Sequence, residues 1–308
     1  MLKYTKGGGR CAYSKKSTEK KVKIRETGSR KISRSRAGSA ALLIFLIITG
    51  SLMFLPFLYA IIQSVKPVDE IFIYPPRFFV TSPTGDNYLS LFDLIEESRV
   101  PFTRYLWNSA FVTLIATGLH VIFASMAAFP LAKFKFPGSK GYFDFIVVSL
   151  LFTTQVTALP LYIVLSRLGL IDTQFAIIFP AIGSSLGLFL MKQFITGIPD
   201  AMIEAARVDG AGSLKIFWRI VMPNVKPAWL TCIIFSFQSV WNDEGSNYIY
   251  DESLKVLPTM LHQISDGGIV RMGEASAAAV ILMIPPILIF VCSQSQILET
   301  MSHSGMKD

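Results

Sequence analysis

Six apolar segments separated by polar stretches dominate this chain of 308 residues. A helix rises 1.5 Å per residue, so about 20 apolar residues cross roughly 30 Å of hydrocarbon. The fifth segment is the weakest, and its helix must either begin nearer Pro223 or extend towards Tyr250. The pattern predicts an all-α membrane protein with six transmembrane helices, at residues 40–63, 107–130, 145–165, 175–191, 228–241 and 275–293.

One polar stretch, residues 195–227, has a pattern of its own and predicts two short helices joined by a tight turn. We expect Asp200 to cap the first helix, and Gly210 and Gly212 to supply the left-handed backbone that ends it. Ser213 is expected to cap the second helix and Pro223 to stop it. We call this segment the 195–227 loop.

The apolar positions of the second predicted helix fall at i, i+3, i+4 and i+7, which places Leu214, Phe217, Trp218 and Val221 on one face. The first helix, of about eight residues, is too short to persist alone in water. Its two alanines, Ala205 and Ala206, would let a partner surface approach closely. We therefore interpret it as a plug for a groove on a partner. The alternative is an amphipathic helix that lies on the membrane surface.

Composition supports several membrane spans, because 52% of residues are hydrophobic and 16% are charged. The net charge of +8 comes from residues 1–39, which hold thirteen Lys or Arg against two Glu, so that the remainder is net negative. This tail lacks apolar periodicity. We predict that residues 1–39 are a disordered cytoplasmic tail that attracts anionic lipid, and that residues 40–308 form the transmembrane domain. No aromatic platform accompanies the basic residues, so nucleic-acid binding is not expected.

The charges of the loops between the segments predict the orientation. Basic residues collect in every second loop, and the intervening loops are more acidic. Cytoplasmic loops carry the excess of Lys and Arg, so both termini and the 195–227 loop are predicted to be cytoplasmic. The basic residues that decide this, beyond the tail, are Lys133, Lys135, Lys140, Lys192, Arg207, Lys215, Arg219 and Lys226.

The predicted spans contain few ionisable groups, which disfavours an ion-driven carrier. His120 stands alone in the second span, where we interpret it as a hydrogen-bonded helix contact. Gly183 and Gly187 form a small-xxx-small pair that favours close helix packing. The sequence has no GxxxxGK[ST] phosphate-binding loop, and its three cysteines lack metal-ligand spacing. We therefore predict that the chain is not an enzyme, binds no metal and depends on a partner for energy.

The 195–227 loop resembles the EAA loop of permease subunits from ATP-binding-cassette (ABC) importers. The matching positions are Glu204, Ala205, Ala206, Arg207, Asp209, Gly210, Ile220 and Pro223, with Met222 where the family usually has leucine. Further short runs resemble the second permease of maltose-type carbohydrate importers, namely Asn87-Tyr88, Asn108-Ser109 and residues 132–138, 169–173 and 189–194. The resemblance covers residues 40–308.

The resemblance implies a type I ABC importer permease fold in a bacterial inner membrane, with the loop as the element that couples to the ATPase. It implies three kinds of partner: a homologous companion permease, an ATPase dimer that binds ATP and magnesium, and an extracytoplasmic solute-binding protein. No cofactor is expected in this chain. The transported solute would be a sugar or oligosaccharide, and the sequence leaves its identity open. The alternative function is a self-sufficient secondary carrier or channel.

Sugar contact requires amide, hydroxyl or aromatic side chains, because a sugar offers many hydroxyls and apolar faces. Thr154, Gln155, Trp241 and Asn242 are the candidates for lining a substrate pathway. The alternative role for all four is anchoring at the membrane interface and hydrogen bonding between helices.

Overall fold

The computed structural model describes residues 36–75, 77–96, 100–245 and 247–304, and within these ranges its regular structure is helical. The predicted tail lies outside the described residues up to residue 35, and the first helix begins at Arg36. The α-helices are α1 (Arg36–Ser64), α2 (Val68–Ile71), α3 (Asp86–Glu96), α4 (Phe102–Lys133), α5 (Ser139–Ser149), α6 (Thr154–Arg167), α7 (Phe175–Ile182), α8 (Ser185–Thr196), α9 (Asp200–Val208), α10 (Ser213–Ile216), α11 (Met222–Asn224), α12 (Lys226–Trp241), α13 (Leu257–Ser265) and α14 (Met272–Ser304).

The boundary between two compact units falls after Leu52, inside α1. The described part of the first unit is the helical stretch 36–52. The second unit, Met53–Asp308, contains the helix bundle.

Among the described residues, four helical stretches are long and apolar enough to cross a membrane. They are Gly38–Ser64, Phe102–Lys133, Phe175–Thr196 and Met272–Gln294. Two bent helix pairs raise the number to six if each pair forms one span. All six predicted segments fall within these elements.

The third predicted segment is not one continuous helix. It breaks between Ser149 and Thr154, and the helix axis bends by 111° from one half to the other. The residues at the break are mostly apolar, so hydropathy alone gave no sign of it. Ser149 Oγ lies 2.6 Å from Ser185 Oγ, which ties the end of α5 to the start of α8.

The helix of the fifth segment begins at Lys226. This start is nearer Pro223 than the apolar run itself, which is one of the two alternatives that the sequence predicted.

α4 is the central helix of the second unit, and buried residues follow it from Tyr105 to Phe129. Near its C-terminal end, Val121, Ala124 and Phe129 pack with residues of α8 and of the 195–227 loop. Near its N-terminal end, Tyr105 packs with α3, α12, α13 and α14. The helix therefore spans the bundle from the 195–227 loop to the opposite end.

Candidate functional site

The first candidate site is the 195–227 loop, whose first helix, α9, ends in a Schellman motif. Gly210 adopts φ +78°, and its amide donates to Arg207 O at 3.0 Å. The amide of Ala211 donates to Ala206 O at 2.9 Å, and both alanines pack against the apolar cluster beneath. This bond pattern with a left-handed glycine is a common way to end a helix. The prediction for Gly210 is confirmed.

The predicted caps are wrong. Pro199 and Gly212 occupy the N-cap positions, so Asp200 and Ser213 are the first residues of their helices and cap neither. The carboxylate of Asp200 instead binds Lys133, 67 residues away in sequence. Gly212 has φ −69°, so it does not supply left-handed backbone.

The second half of the loop is helical but irregular. After α10, a π-helical turn spans Phe217–Val221, and the helix continues through Pro223 to Asn224, so Pro223 does not stop it. The buried face of this helix differs in part from the predicted one. Phe217 and Val221 are buried as predicted, whereas Leu214 and Trp218 are exposed and Ile216 is buried in their place. Ile220 is half-buried against the same cluster, and Pro223 is exposed.

α9 presents nearly all of its side chains to the outside. Only Ile203 is buried and Ala206 is half-buried. The remaining predicted site residues of this helix and turn are all exposed: Glu204, Ala205, Arg207, Asp209 and Gly210. The guanidinium of Arg207 lies 5.2 Å from the ring centroid of Phe134, which is within cation–π range.

Lys133, the last residue of α4, fixes the start of α9. Its Nζ lies 2.7 Å from Asp200 Oδ1 and also donates to Ile198 O at 2.5 Å. Its hydrogen bond and then its charge lower the pKa of the Asp200 carboxyl. In the sequence, Lys133 indicates only the membrane orientation, because a contact across 67 residues leaves no periodic signal.

The second candidate site is an open cavity of about 540 Å³ in the bundle, within the size range of small-molecule sites. Thr154 and Gln155 line it together, as the first residues of α6 after the break. Asp243 also lines it, a residue that the sequence analysis missed. The enclosing walls remove part of the hydration of Asp243 and raise the pKa of its carboxyl, against the opposing effect of the Gly245 amide, which donates to Oδ1 at 3.0 Å.

The structure does not bring Trp241 and Asn242 to this cavity. Trp241 is buried, its ring stacks on Phe237, and its Nε1 donates to Leu282 O at 3.1 Å, which is the helix-to-helix role. Asn242 is exposed and lines a separate groove beside α14. Thr154 and Gln155 are thus the only two of the four predicted residues that share a cavity.

Two further observations concern His120 and metal binding. His120 Nδ1 donates to Ile182 O at 3.1 Å, so the predicted helix contact is confirmed. No group of three or more His, Cys, Asp and Glu residues within the described ranges could hold a metal ion.

Comparison with known proteins identifies the class. The fold is that of an ABC importer permease: the structure superimposes with a TM-score of 0.71 on a chain of a bacterial ABC transporter involved in the import of the acidic polysaccharide alginate. That match covers 85% of this chain and 98% of the other, at 21% identity. Residues 120–301 match the model of the binding-protein-dependent transport system inner membrane component family, and the chain belongs to this family.

Two relatives from Bacillus subtilis (strain 168) support the same family. Protein LplC is 32% identical over 230 residues, which is 72% of this chain and 74% of that protein. The melibiose/raffinose/stachyose import permease protein MelC is 32% identical over 211 residues, 66% of this chain and 76% of that protein. The chain is thus a multi-pass membrane permease subunit of a type I ABC importer, and this family is a transporter component rather than an enzyme.

Proposed function

We propose that this chain forms half of the translocation pathway of an ATP-driven sugar or oligosaccharide importer, and that α9 is the coupling helix that docks into a separate ATPase. The observation that carries the proposal is the exposed surface of α9 in a chain of this family. Two of its apolar side chains are exposed, Met202 at 42% and Val208 at 88%. The helix is also too short to be stable without support. A partner groove would cover both apolar side chains.

The residues of the 195–227 loop have distinct roles in this proposal. Ala205 gives a smooth face for close approach, and Glu204, Arg207 and Asp209 supply polar contacts around it. Gly210 fixes the turn between the two loop helices through its left-handed backbone. Ile220 anchors the second helix on the bundle, and Pro223 lies at its far end.

The solute class follows from the relative MelC, whose name records the import of melibiose, raffinose and stachyose. The cavity that contains Thr154 and Gln155 would form one wall of the pathway, since hydroxyl and amide groups suit a sugar and Leu161 and Pro180 add apolar surface. A homologous companion permease would supply the other wall.

The remaining partners and the orientation belong to the same proposal. A pair of ATPase subunits binds ATP and magnesium on the cytoplasmic side, where the 195–227 loop, both termini and the lipid-attracting tail lie. A solute-binding protein delivers the sugar on the other side. ATP binding closes the ATPase pair, which carries α9 with it and rocks the bundle from inward-open to outward-open.

Co-purification of the tagged chain with its companion permease and ATPase tests the coupling role. Glu204→Lys reverses an exposed charge on α9, and Gly210→Asp puts a side chain where φ is +78°. Both variants should insert normally and lose the ATPase or its stimulation by the solute-binding protein. Gly268→Asp is the matched control, because Gly268 also has φ +78° and open space around it but lies in the loop after α13.

The expected result is that the wild type and the control retain the ATPase and its stimulation, whereas each loop variant loses one or both. Equal retention and equal stimulation of the ATPase in all four proteins would contradict the coupling role. If the wild type never binds an ATPase, and the chain alone in liposomes moves sugar on an ion gradient, the carrier alternative replaces the importer.

A further inference from the structure

The junction between α4, α8 and α9 is built around the ammonium group of Lys133. Its Nζ contacts Thr196 O at 3.4 Å, in the last turn of α8, and Ile198 O at 2.5 Å, in the connection that follows. The third contact is Asp200 Oδ1, at 2.7 Å, on the first residue of α9. An ammonium has three donors, and three oxygens accept here. One side chain of α4 therefore holds both sides of the α8–α9 connection.

The burial of this contact distinguishes it from a surface ion pair. The side chain of Lys133 is only 6% exposed, whereas that of Asp200 is 77% exposed. A buried cation needs all its donors satisfied, so the two carbonyl oxygens matter more than the exposed carboxylate. The carbonyl groups at the end of α8 also carry the negative end of the helix dipole, which favours a cation there. The backbone at 196–198, which leads into α9, is thus held to α4 by two contacts besides that of the Asp200 carboxylate.

Near the other end of α4, polar side chains hold the segment 252–257. Asn108 Nδ2 donates to Ser253 O and to Lys255 O, each at 2.9 Å. The hydroxyl of Ser109 accepts from the amide of Leu257 at 2.6 Å, and Tyr105 OH donates to Glu252 Oε1 at 2.8 Å. These three α4 side chains are almost completely buried.

α4 itself is suited to carry movement between these two contacts. It runs without a break over 32 residues, which corresponds to about 48 Å. Two helix pairs of the bundle are bent instead, by 111° between α5 and α6 and by 80° between the helical stretch Ser213–Asn224 and α12. A continuous helix pinned at both ends passes a displacement along its axis, and a bent pair absorbs part of it.

We propose that Lys133 is the positioning residue that passes movement of α9 into α4, and that α4 delivers this movement to segment 252–257 at the opposite end of the bundle. The inference rests on the proposed function, since it requires ATP-driven movement of α9. It adds to that function the side chain through which the movement enters the bundle and the segment at which it arrives.

Hydrogen exchange on the complete importer, assembled with its companion permease and ATPase pair, tests this inference with ATP as the only added ligand. In the wild type, ATP should change amide exchange in both α9 and segment 252–257, by about threefold or more. In Lys133→Met, the change in α9 should remain and the change in 252–257 should fall below about 1.5-fold. Lys133→Arg keeps the charge and several donors, so it should restore the response at 252–257.

Lys140→Met is the matched control, because it removes the same charge from an exposed position in the first turn of α5. Its response should equal that of the wild type. If Lys133→Met is the one variant that fails to assemble, the inference is tested with Lys133→Arg and Asp200→Asn. Both should keep the response at 252–257, because the side chain at position 133 can still contact Thr196 O and Ile198 O in each.

Three results would overturn the inference: a wild-type response at 252–257 in Lys133→Met, a loss of that response in Lys140→Met, or a loss of it in the two conservative variants. A wild-type importer in which ATP changes nothing in α9 would instead count against the proposed function itself. The two failures are therefore distinguishable.

Discussion

At the scale of single residues, the two glycines of the 195–227 loop have different roles although only one residue separates them. Gly210 has φ +78°, whereas Gly212 has φ −69°. Neither has a neighbouring atom within 4 Å of the position where a Cβ would stand. Any difference between alanine variants at the two positions therefore reports backbone conformation rather than crowding.

Gly210→Ala should destabilise the folded loop by about 1–2 kcal/mol, because a non-glycine residue in left-handed backbone clashes with its own carbonyl group. Gly212→Ala has an ordinary backbone and should change the loop by less than about 0.5 kcal/mol. Hydrogen exchange of the Ala211 amide, which closes the Schellman motif, measures both. Equal protection of this amide in the two variants would contradict the assignment of Gly210 as the turn residue.

The sequence predicted residue roles where the signal was local. The left-handed turn at Gly210 follows from a glycine placed after a short helical pattern. The role of Lys133 could not be predicted, because its partners lie 63 to 67 residues away in the sequence. In addition, the membrane orientation already explained why basic residues cluster in the loop that contains Lys133. Asp243 was missed for the same reason, because its cavity is formed by three separate parts of the chain.

At the scale of helices, α4 and α8 approach each other closely at Gly187. A Cβ on Gly187 would overlap the ring of His120, whereas a Cβ on Gly183 would contact only carbonyl groups of its own helix. The predicted close packing of the Gly183–Gly187 pair thus rests on Gly187. His120 in turn donates to Ile182 O, so the ring is held in place and cannot move aside without losing this bond.

Gly187→Ala should lower stability by about 1–3 kcal/mol, because the extra methyl group forces the His120 ring out of its position. Gly118→Ala is the control within the same helix pair: Gly118 lies on α4 with open space around it, and alanine favours a helix. Thermal unfolding of the purified chain in detergent should show a lower midpoint for Gly187→Ala only. A similar midpoint for both variants would show that the two helices are not packed as closely as described.

Long helices were predictable from hydropathy and bent ones were not. α4 matches its apolar segment apart from a few residues at each end, and α14 contains its whole segment but continues to Ser304, eleven residues beyond the predicted end. The break between Ser149 and Thr154 was invisible, because the intervening residues are as apolar as the helices they separate. The apolar pattern also assigned Leu214 and Trp218 to the buried face, but both are exposed and Ile216 is buried with Phe217 and Val221.

At the scale of the whole molecule, the second unit has two structurally distinct ends joined by α4. One end carries the exposed helix α9, and the other carries segment 252–257 and the loop between α13 and α14. The cavity with Thr154, Gln155 and Asp243 lies in the bundle. This arrangement suits a subunit that receives mechanical work at one end and changes access for a solute at the other.

The central claim is that α9 binds the ATPase, and site-specific photocrosslinking in the assembled importer tests it most directly. A photoactivatable phenylalanine derivative replaces Val208 on α9 or, as the control, Val270 near the start of α14. Both valines are highly exposed, at 88% and 75%. They lie at opposite ends of the bundle, Val208 near the C-terminal end of α4 and Val270 near its N-terminal end. We predict that the ATPase is captured from position 208 and not from position 270. Capture of the ATPase from position 270, or capture of only lipid and companion permease from position 208, would contradict the account.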